Sequence, residues 1–318
     1  LTYFNSDIFE KCVRFQRKVT FGNNNFSLSL NLDDKEIYRS GDISVLVSIF
    51  DKTEPNVKAL STNKNDLVCC VNDWFVKDNL FRKDFEHLVK TEKFIRQNAD
   101  SATGTRKRAI EKFRDQGNKL AEDLRKRFNE KFSSTPFISN QQIIKSADLT
   151  GSTPTERFES SIDKHLSEIY KKNHLANSYA KSNDDLKKSA SDQQLSTDLS
   201  LTEAEILVNS YIDNMGDSIT VTDVANQFQK PPYGWKDTAT IDVLIKLFKK
   251  GKRKFEWRSD LIDINTFVDK AIKQNERQAI VIKAQEEIRK DRIKDVKKAF
   301  RKIFNQDLKE DSDAFALV

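Results

Sequence analysis

Apolar residues at Ile110, Phe113, Gly117, Leu120, Leu124, Phe128 and Phe132 recur at three- and four-residue steps, a run that only a long amphipathic helix satisfies. A second run just before it, Phe81, Phe85, Leu88 and Ile95, predicts a helix over about 78–97. The polar stretch "NADSATGT" separates them, so the two read as a helical hairpin. Such a hairpin cannot stand alone, because its apolar side needs a second layer to cover it. With 8 Gly and 5 Pro, the chain has too few turn residues for an all-β sandwich or barrel, and helix must dominate.

The missing layer is legible upstream. In "FSLSLNL", Phe26, Leu28, Leu30 and Leu32 alternate on one face, and in "ISVLVSIF" so do Ile43, Val45, Val47 and Ile49. "FGNNN" supplies residues tolerant of positive φ for a hairpin turn. A segment around Ile37 and "DLVCCVNDW" add further strands, giving a small antiparallel sheet over residues 1–75. Residues 76–176 hold the hairpin, a short β-hairpin in "PFISNQQIIK", and a helix from about Thr155 that turns Phe158, Ile162, Leu166 and Ile169 inward. The Ser-, Asp-, Lys- and Asn-rich stretch 177–199 reads as a flexible linker.

The last third follows another order. "LTEAEILVNSYIDNMG" predicts a helix with Ile206, Leu207 and Tyr211 inward and Gly216 at its end. "SITVTDVANQFQ" predicts a short extended piece and a helix capped by Thr222, stopped by "PPYGW". A third helix over about 237–250 buries Ile241, Leu244, Ile245 and Phe248, and "GKRKFEWRSD" follows as a basic hairpin. Helix, strand, helix, turn, helix, hairpin is the order of a winged-helix-like domain, here 200–262. Residues 263–318 read as a long basic C-terminal helix and tail, with Ile293, Val296, Phe300 and Ile303 or Phe304 on its apolar side. The fold class expected is therefore α+β, mostly α.

Charge is informative by position. Residues 105–132 carry 10 Lys/Arg against 5 Asp/Glu, residues 246–258 carry 7 against 1, and residues 270–302 carry 12 against 5, while the whole chain is only +6. Such local fields suit a phosphate backbone or an acidic protein face. The third helix of the winged-helix-like domain is basic only at its end, where Lys246, Lys249 and Lys250 lead into Lys252, Lys254 and Arg258. Asp237 and Asp242 occupy its N-terminal half, where phosphates are repelled. That distribution suits non-specific phosphate contact better than base readout. Arg106, Lys107, Arg108, Arg125, Lys126 and Arg127 on the long helix form a second candidate interaction surface. Tyr233 and Trp235 of "PPYGW" either pack on their own domain or form a partner-binding knob.

Catalytic signals are lacking. "GKRKF" at Gly251 has a Lys but neither the Gly-rich loop before it nor the Ser/Thr after it that phosphate cradling needs, and no G-x-G-x-x-G occurs. His87, His165 and His174 have no i+4 partner, and Cys12, Cys69 and Cys70 lack metal-ligand spacing. Neither cofactor nor metal is expected, and no catalytic residue is assigned. Three cysteines fit a reducing cytoplasm, no run is apolar enough to span a membrane, and a chain opening on Leu1 is what a piece of a longer polypeptide would show.

"PPYGW" followed by an Asp-containing helix, a Gly-basic wing and a long C-terminal helix resembles the C-terminal region of the large P-loop ATPase of BREX phage-defence systems, the BrxC/PglY family. "VKTEKFIRQNA" with the long charged helix after it, and "PFISNQQIIKSADLTGSTPTERFESSIDKHLSEIY", resemble that family's middle region, in the same order, from about Asp66 onward. The resemblance implies a bacterial cytoplasmic defence complex that blocks phage DNA replication beside a site-specific DNA methyltransferase and a phosphatase-like partner. The family's phosphate-binding loop does not occur here, so no catalytic role carries over. Three readings follow: a non-catalytic assembly region binding those partner subunits, with basic helices near DNA; a stand-alone, non-specific double-stranded DNA-binding protein; and an unrecognised hydrolase. Self-association stays open.

Overall fold

The structure is a computed structural model that describes residues 6–49, 54–99, 103–192, 200–216, 218–285 and 290–306. It divides into two compact units, residues 1–171 and 172–318.

The first unit runs α1 (Ser6–Val13), β1 (Lys18–Phe21), β2 (Asn24–Leu32), β3 (Lys35–Tyr38), β4 (Ile43–Val47), α2 (Glu54–Ala59), β5 (Asp66–Cys69), α3 (Asn72–Phe75), α4 (Asn79–Asn98), α5 (Gly104–Phe132), β6 (Phe137–Ser139), β7 (Gln142–Ile144) and α6 (Pro154–Ile169). β1 and β2 form the hairpin expected at "FGNNN": Phe21 pairs with Asn24, and Gly22 sits at φ +59°. The sheet order is β1-β2-β4-β5-β6-β7, with β3 also pairing with β2.

Alternation sets burial as expected. Phe26, Leu28, Leu30 and Leu32, with Ile43, Val45, Val47, Leu67 and Cys69, share one apolar core with Phe81, Phe85 and Leu88 of α4, Leu124, Phe128 and Phe132 of α5, and Phe158 and Ile162 of α6. The opposite face buries Val68, Cys70 and Ile138 against Val57 of α2. Adjacent thiols thus face opposite sides of one strand, as period-two geometry requires.

Two expectations about this unit are corrected. The sheet is mixed, not antiparallel throughout, because β2 pairs with β4 and β4 with β5 in parallel. Alternation fixes which side chains face the core but not strand direction; the short α2 makes the β4–β5 crossover. Nor do residues 1–75 form a separate domain, since β6 returns after the hairpin to pair with β5. Within the hairpin, Phe113 is 44% exposed and meets Phe94 edge-on at 5.6 Å instead of entering the core.

The second unit holds α7 (Asn183–Ser191), α8 (Glu203–Met215), α9 (Val221–Gln229), α10 (Asp237–Lys249), β8 (Arg253–Trp257), β9 (Asp260–Ile262), α11 (Ile264–Ala271), α12 (Gln274–Arg277), β10 (Ile280–Ala284) and α13 (Lys290–Phe304). β10, β8 and β9 form an antiparallel sheet in that order. Ile241, Leu244 and Ile245 of α10 and Phe255 of β8 are buried as expected, beside Val208, Val224, Phe228 and Trp235.

Here the corrections are larger. The 177–199 stretch is ordered over 177–192: Tyr179, Ala180, Leu186 and Ala190 are buried, and α7 opens on a capping box between Ser182 and Asp185. Residues 193–199 lie outside the described residues. α8 turns Ala204, Val208 and Ile212 inward, while the expected Leu207 and Tyr211 pack partly buried against the same core and Ile206 is 49% exposed, so the inward face is rotated from the expected one. α9 is capped by Thr220, not Thr222, through a reciprocal pair with Asp223. The long C-terminal helix does not begin at 263: α11, α12 and the strand β10 come first, and α13 starts at Lys290. On α13 the side chain of Ile293 lies outside the described residues, while Ile303 and Phe304 are exposed.

Candidate interaction surfaces

The basic end of α10 is the first candidate for phosphate contact, and two of its lysines are already engaged. Lys249 Nζ donates to the carbonyls of Ser189, at 2.5 Å, and Asp192. Burial and the neighbouring Lys246 push its pKa down, partly offset by Asp192 and Asp242. Lys250 Nζ lies 2.6 Å from Glu205 Oε2 and 2.7 Å from the Ser200 carbonyl, with 12% and 2% of the lysine and glutamate side chains exposed. A charge buried with its counter-ion holds the domain together and is not free for an incoming phosphate.

Lys246, Lys252 and Lys254 are half-buried, with Lys254 opposite Lys283 on β10. Arg258, at φ +53°, is exposed at the β8–β9 turn, and its guanidinium lies 4.3 Å from the Trp257 ring centre. Lys270 Nζ approaches the same ring at 3.9 Å and pairs with Glu276 at 2.7 Å. Arg253, which sequence reasoning passes over, is buried and binds Asn209 and Asp213 of α8.

More decisive is what covers α10 itself. From Thr238 through Ile245, and again at Leu247, its side chains are buried. The segment 172–192, mostly linker by its composition, lies along it. Asp242 accepts from the Ala180 amide at 3.0 Å and from the Ser189 hydroxyl; Thr238 Oγ1 donates to the Ala180 carbonyl at 2.9 Å; Lys236 Nζ donates to the Lys181 carbonyl at 2.8 Å. Asp237 is held by Arg277. The two carboxylates read as repelling phosphate are therefore internal fastenings. In a groove-reading winged helix this helix offers a free face, and here that face is closed.

"PPYGW" belongs to the same closure. Trp235 is fully buried, stacks on Phe228 at 4.8 Å and donates from Nε1 to the Lys172 carbonyl at 3.0 Å. Asn173 Nδ2 donates to the carbonyls of Tyr233 and Gly234 at 3.1 and 2.8 Å. Tyr233 is half-buried, 4.5 Å from Phe228. Neither aromatic projects as a knob.

On the long helix, Arg106, Lys107, Arg108, Arg125 and Lys126 are exposed. Arg127 is not free: it pairs with Asp84 at 2.7 Å and Asp123 at 3.2 Å, which raise its pKa, and lies over the Phe81 ring.

Ser139 Oγ and His165 Nδ1 are 2.7 Å apart, the contact a hydrolytic serine would need. Both side chains are buried, at 4% and 0% exposure, so no substrate reaches them; the pair ties β6 to α6. Burial raises the pKa of Cys69, and pushes that of Cys12 up to about 11, against the nearby Arg125, the opposite of thiol activation. Among the described residues no cluster of three or more His, Cys, Asp or Glu could hold a metal, and no helix is long and apolar enough to cross a membrane.

Residues 3–164 match the family model described as "BREX ATP-binding protein BrxC 4th domain with six-stranded beta sheet". Residues 168–286 match that of the "BREX ATP-binding protein BrxC winged helix-turn-helix domain". The six strands have a counterpart in the path β1-β2-β4-β5-β6-β7, and the two matches meet close to the division between the compact units. No solved structure matches the chain.

Proposed function

The chain belongs to the BrxC family of BREX ATP-binding proteins, and from that premise we infer that it serves phage defence as a non-catalytic assembly region, holding partner subunits in place. One observation carries the reading: the helix that a winged-helix domain would use on DNA is closed over by residues 172–192, with Asp242, Lys249 and Lys250 turned into internal ties. A domain so sealed keeps the winged-helix scaffold and gives up its groove-reading face. Its surface is left with apolar residues such as Ile206 and Met215 on α8 and Leu261 on β9, the kind a protein partner covers. By the family resemblance, the partners are the DNA methyltransferase and the phosphatase-like subunit.

Co-expression of the whole chain with each of these two BREX proteins, followed by size-exclusion chromatography, tests the reading. Co-elution with at least one is expected, with no ATP hydrolysis by the chain alone. Separate elution from both, or ATP turnover by the isolated chain, would overturn it. A second reading, duplex binding through the wing, is favoured by the exposed Arg258 alone among the seven basic residues of α10 and the wing.

A further inference from the structure

We propose that the distal end of the α4–α5 hairpin contacts the phosphate backbone of duplex DNA without regard to sequence, independently of whatever the winged-helix unit binds. The basic excess of this arm is concentrated at its tip. Residues 93–114 carry seven Lys/Arg against two Asp/Glu, net +5, whereas residues 115–132 carry five against four, net +1. Near the root the cations are spent on the fold: Arg127 on Asp84 and Asp123, and Lys131 on Asp78 at 2.9 Å.

At the tip the pattern reverses. Lys93, Arg96, Lys107, Arg108, Lys112 and Arg114 are exposed, and none forms an ion pair with a carboxylate among the described residues. Arg106 donates to a neutral acceptor, Asn98 Oδ1, at 2.7 Å. The first turn of α5 holds no acid although it holds Arg106 and Lys107. A helix start favours anions, so a cationic one is disfavoured within the chain itself and is relieved by an anion from outside.

The shape of the patch selects the kind of anion. At 100° per residue, Arg108 and Lys112 point away from the buried Ile110 side of α5, while Lys107 and Arg114 flank it, and Lys93 and Arg96 come from the other helix. A protein partner would need a flat patch with an apolar centre; here the exposed apolar surface is Phe94 against Phe113, which pins the two helices together. Duplex DNA presents about one charge per 1.7 Å of axis, and counterion release rewards the number of cations more than their arrangement. Two helix ends with cations on several sides fit that target.

Anisotropy titration of the full 318-residue chain against a labelled random duplex, between about 50 and about 200 mM salt, tests the proposal. Wild type should bind with a steep salt dependence. The variant Arg106→Glu, Lys107→Glu, Arg108→Glu, Lys112→Glu should bind at least about tenfold more weakly at the lower salt, and its log–log salt slope should be shallower by about 3 to 4. Gln at the same four positions should give an intermediate loss, with helix content by circular dichroism unchanged, which separates lost contacts from lost fold. Absent wild-type binding, unchanged binding by both variants, or loss of binding on Lys254→Glu with Arg258→Glu instead would each overturn the assignment. Co-elution with BREX subunits is read separately, so either idea can fail alone.

Discussion

His165 shows how much one buried side chain can govern. Its ring is fully inaccessible, and burial pushes its pKa down to about 4, with only a partial offset from the Asn65 backbone. In the unfolded chain the same imidazole titrates near 6.5. Below that pH the unfolded state takes up a proton that the folded state refuses, so stability present above about 6.5 drains away as pH falls toward about 4. The slope approaches about 1.4 kcal/mol per pH unit and the total about 3 kcal/mol. Thermal melts between pH 5 and 7.5 should therefore show a falling midpoint toward acid, and His165→Asn should flatten that trend whatever it does to the midpoint itself. A slope unchanged by the substitution would mean that other groups carry the acid sensitivity. The same burial explains why the Ser139–His165 contact is a fastening between strand and helix and not a catalytic dyad.

Between elements, the informative contact is α7 on α10. Asp242 accepts from the Ala180 amide and the Ser189 hydroxyl, so Asp242→Ala leaves two donors without their acceptor at a cost of about 2–3 kcal/mol. Hydrogen exchange of amides 180–191 should accelerate in that variant while the β8–β10 pairing keeps its protection; unaltered protection of α7 would show that its apolar anchors Leu186 and Ala190 suffice. The sequence carries a signal for α7 in the Ser182–Asp185 box and the Leu186, Ala190 spacing, but its Ser- and Asp-rich composition points the other way. β10 is hidden similarly, since "IVIKA" runs straight into charged residues and merges with the helix that follows. What is legible is periodicity: the alternating faces of β2 and β4 and the inward row of α6 stand where spacing puts them. Strand direction is not, because alternation is blind to it. Nor is the fate of Lys249 and Lys250, because a flexible lysine stem reaches back to a carbonyl or a glutamate as readily as outward, and charge counts cannot tell these apart.

At the scale of the whole chain, the buried apolar residues fall into a core drawn from residues 9–170 and another drawn from residues 176–282, with a small satellite beneath α2. The elements that complete each core also come from within it. β6 returns to the first sheet after the long hairpin, and residues 172–192, which follow α6 directly, close over α10. A boundary drawn at the composition change near residue 177 would cut Asn173 and Lys172 away from Tyr233, Gly234 and Trp235, whose carbonyls and indole they serve. A boundary at 171/172 severs none of these ties. Residues 1–171 and 172–318, expressed separately, should each melt cooperatively, as domains with their own cores do. A shortened second unit that starts at 193 instead lacks α7 and should lose the burial of α10, with a broad transition and bound hydrophobic dye as the readouts. If 193–318 melts as sharply as 172–318, the closure of α10 contributes nothing to that domain's stability. The winged-helix scaffold would then not depend on being turned inward.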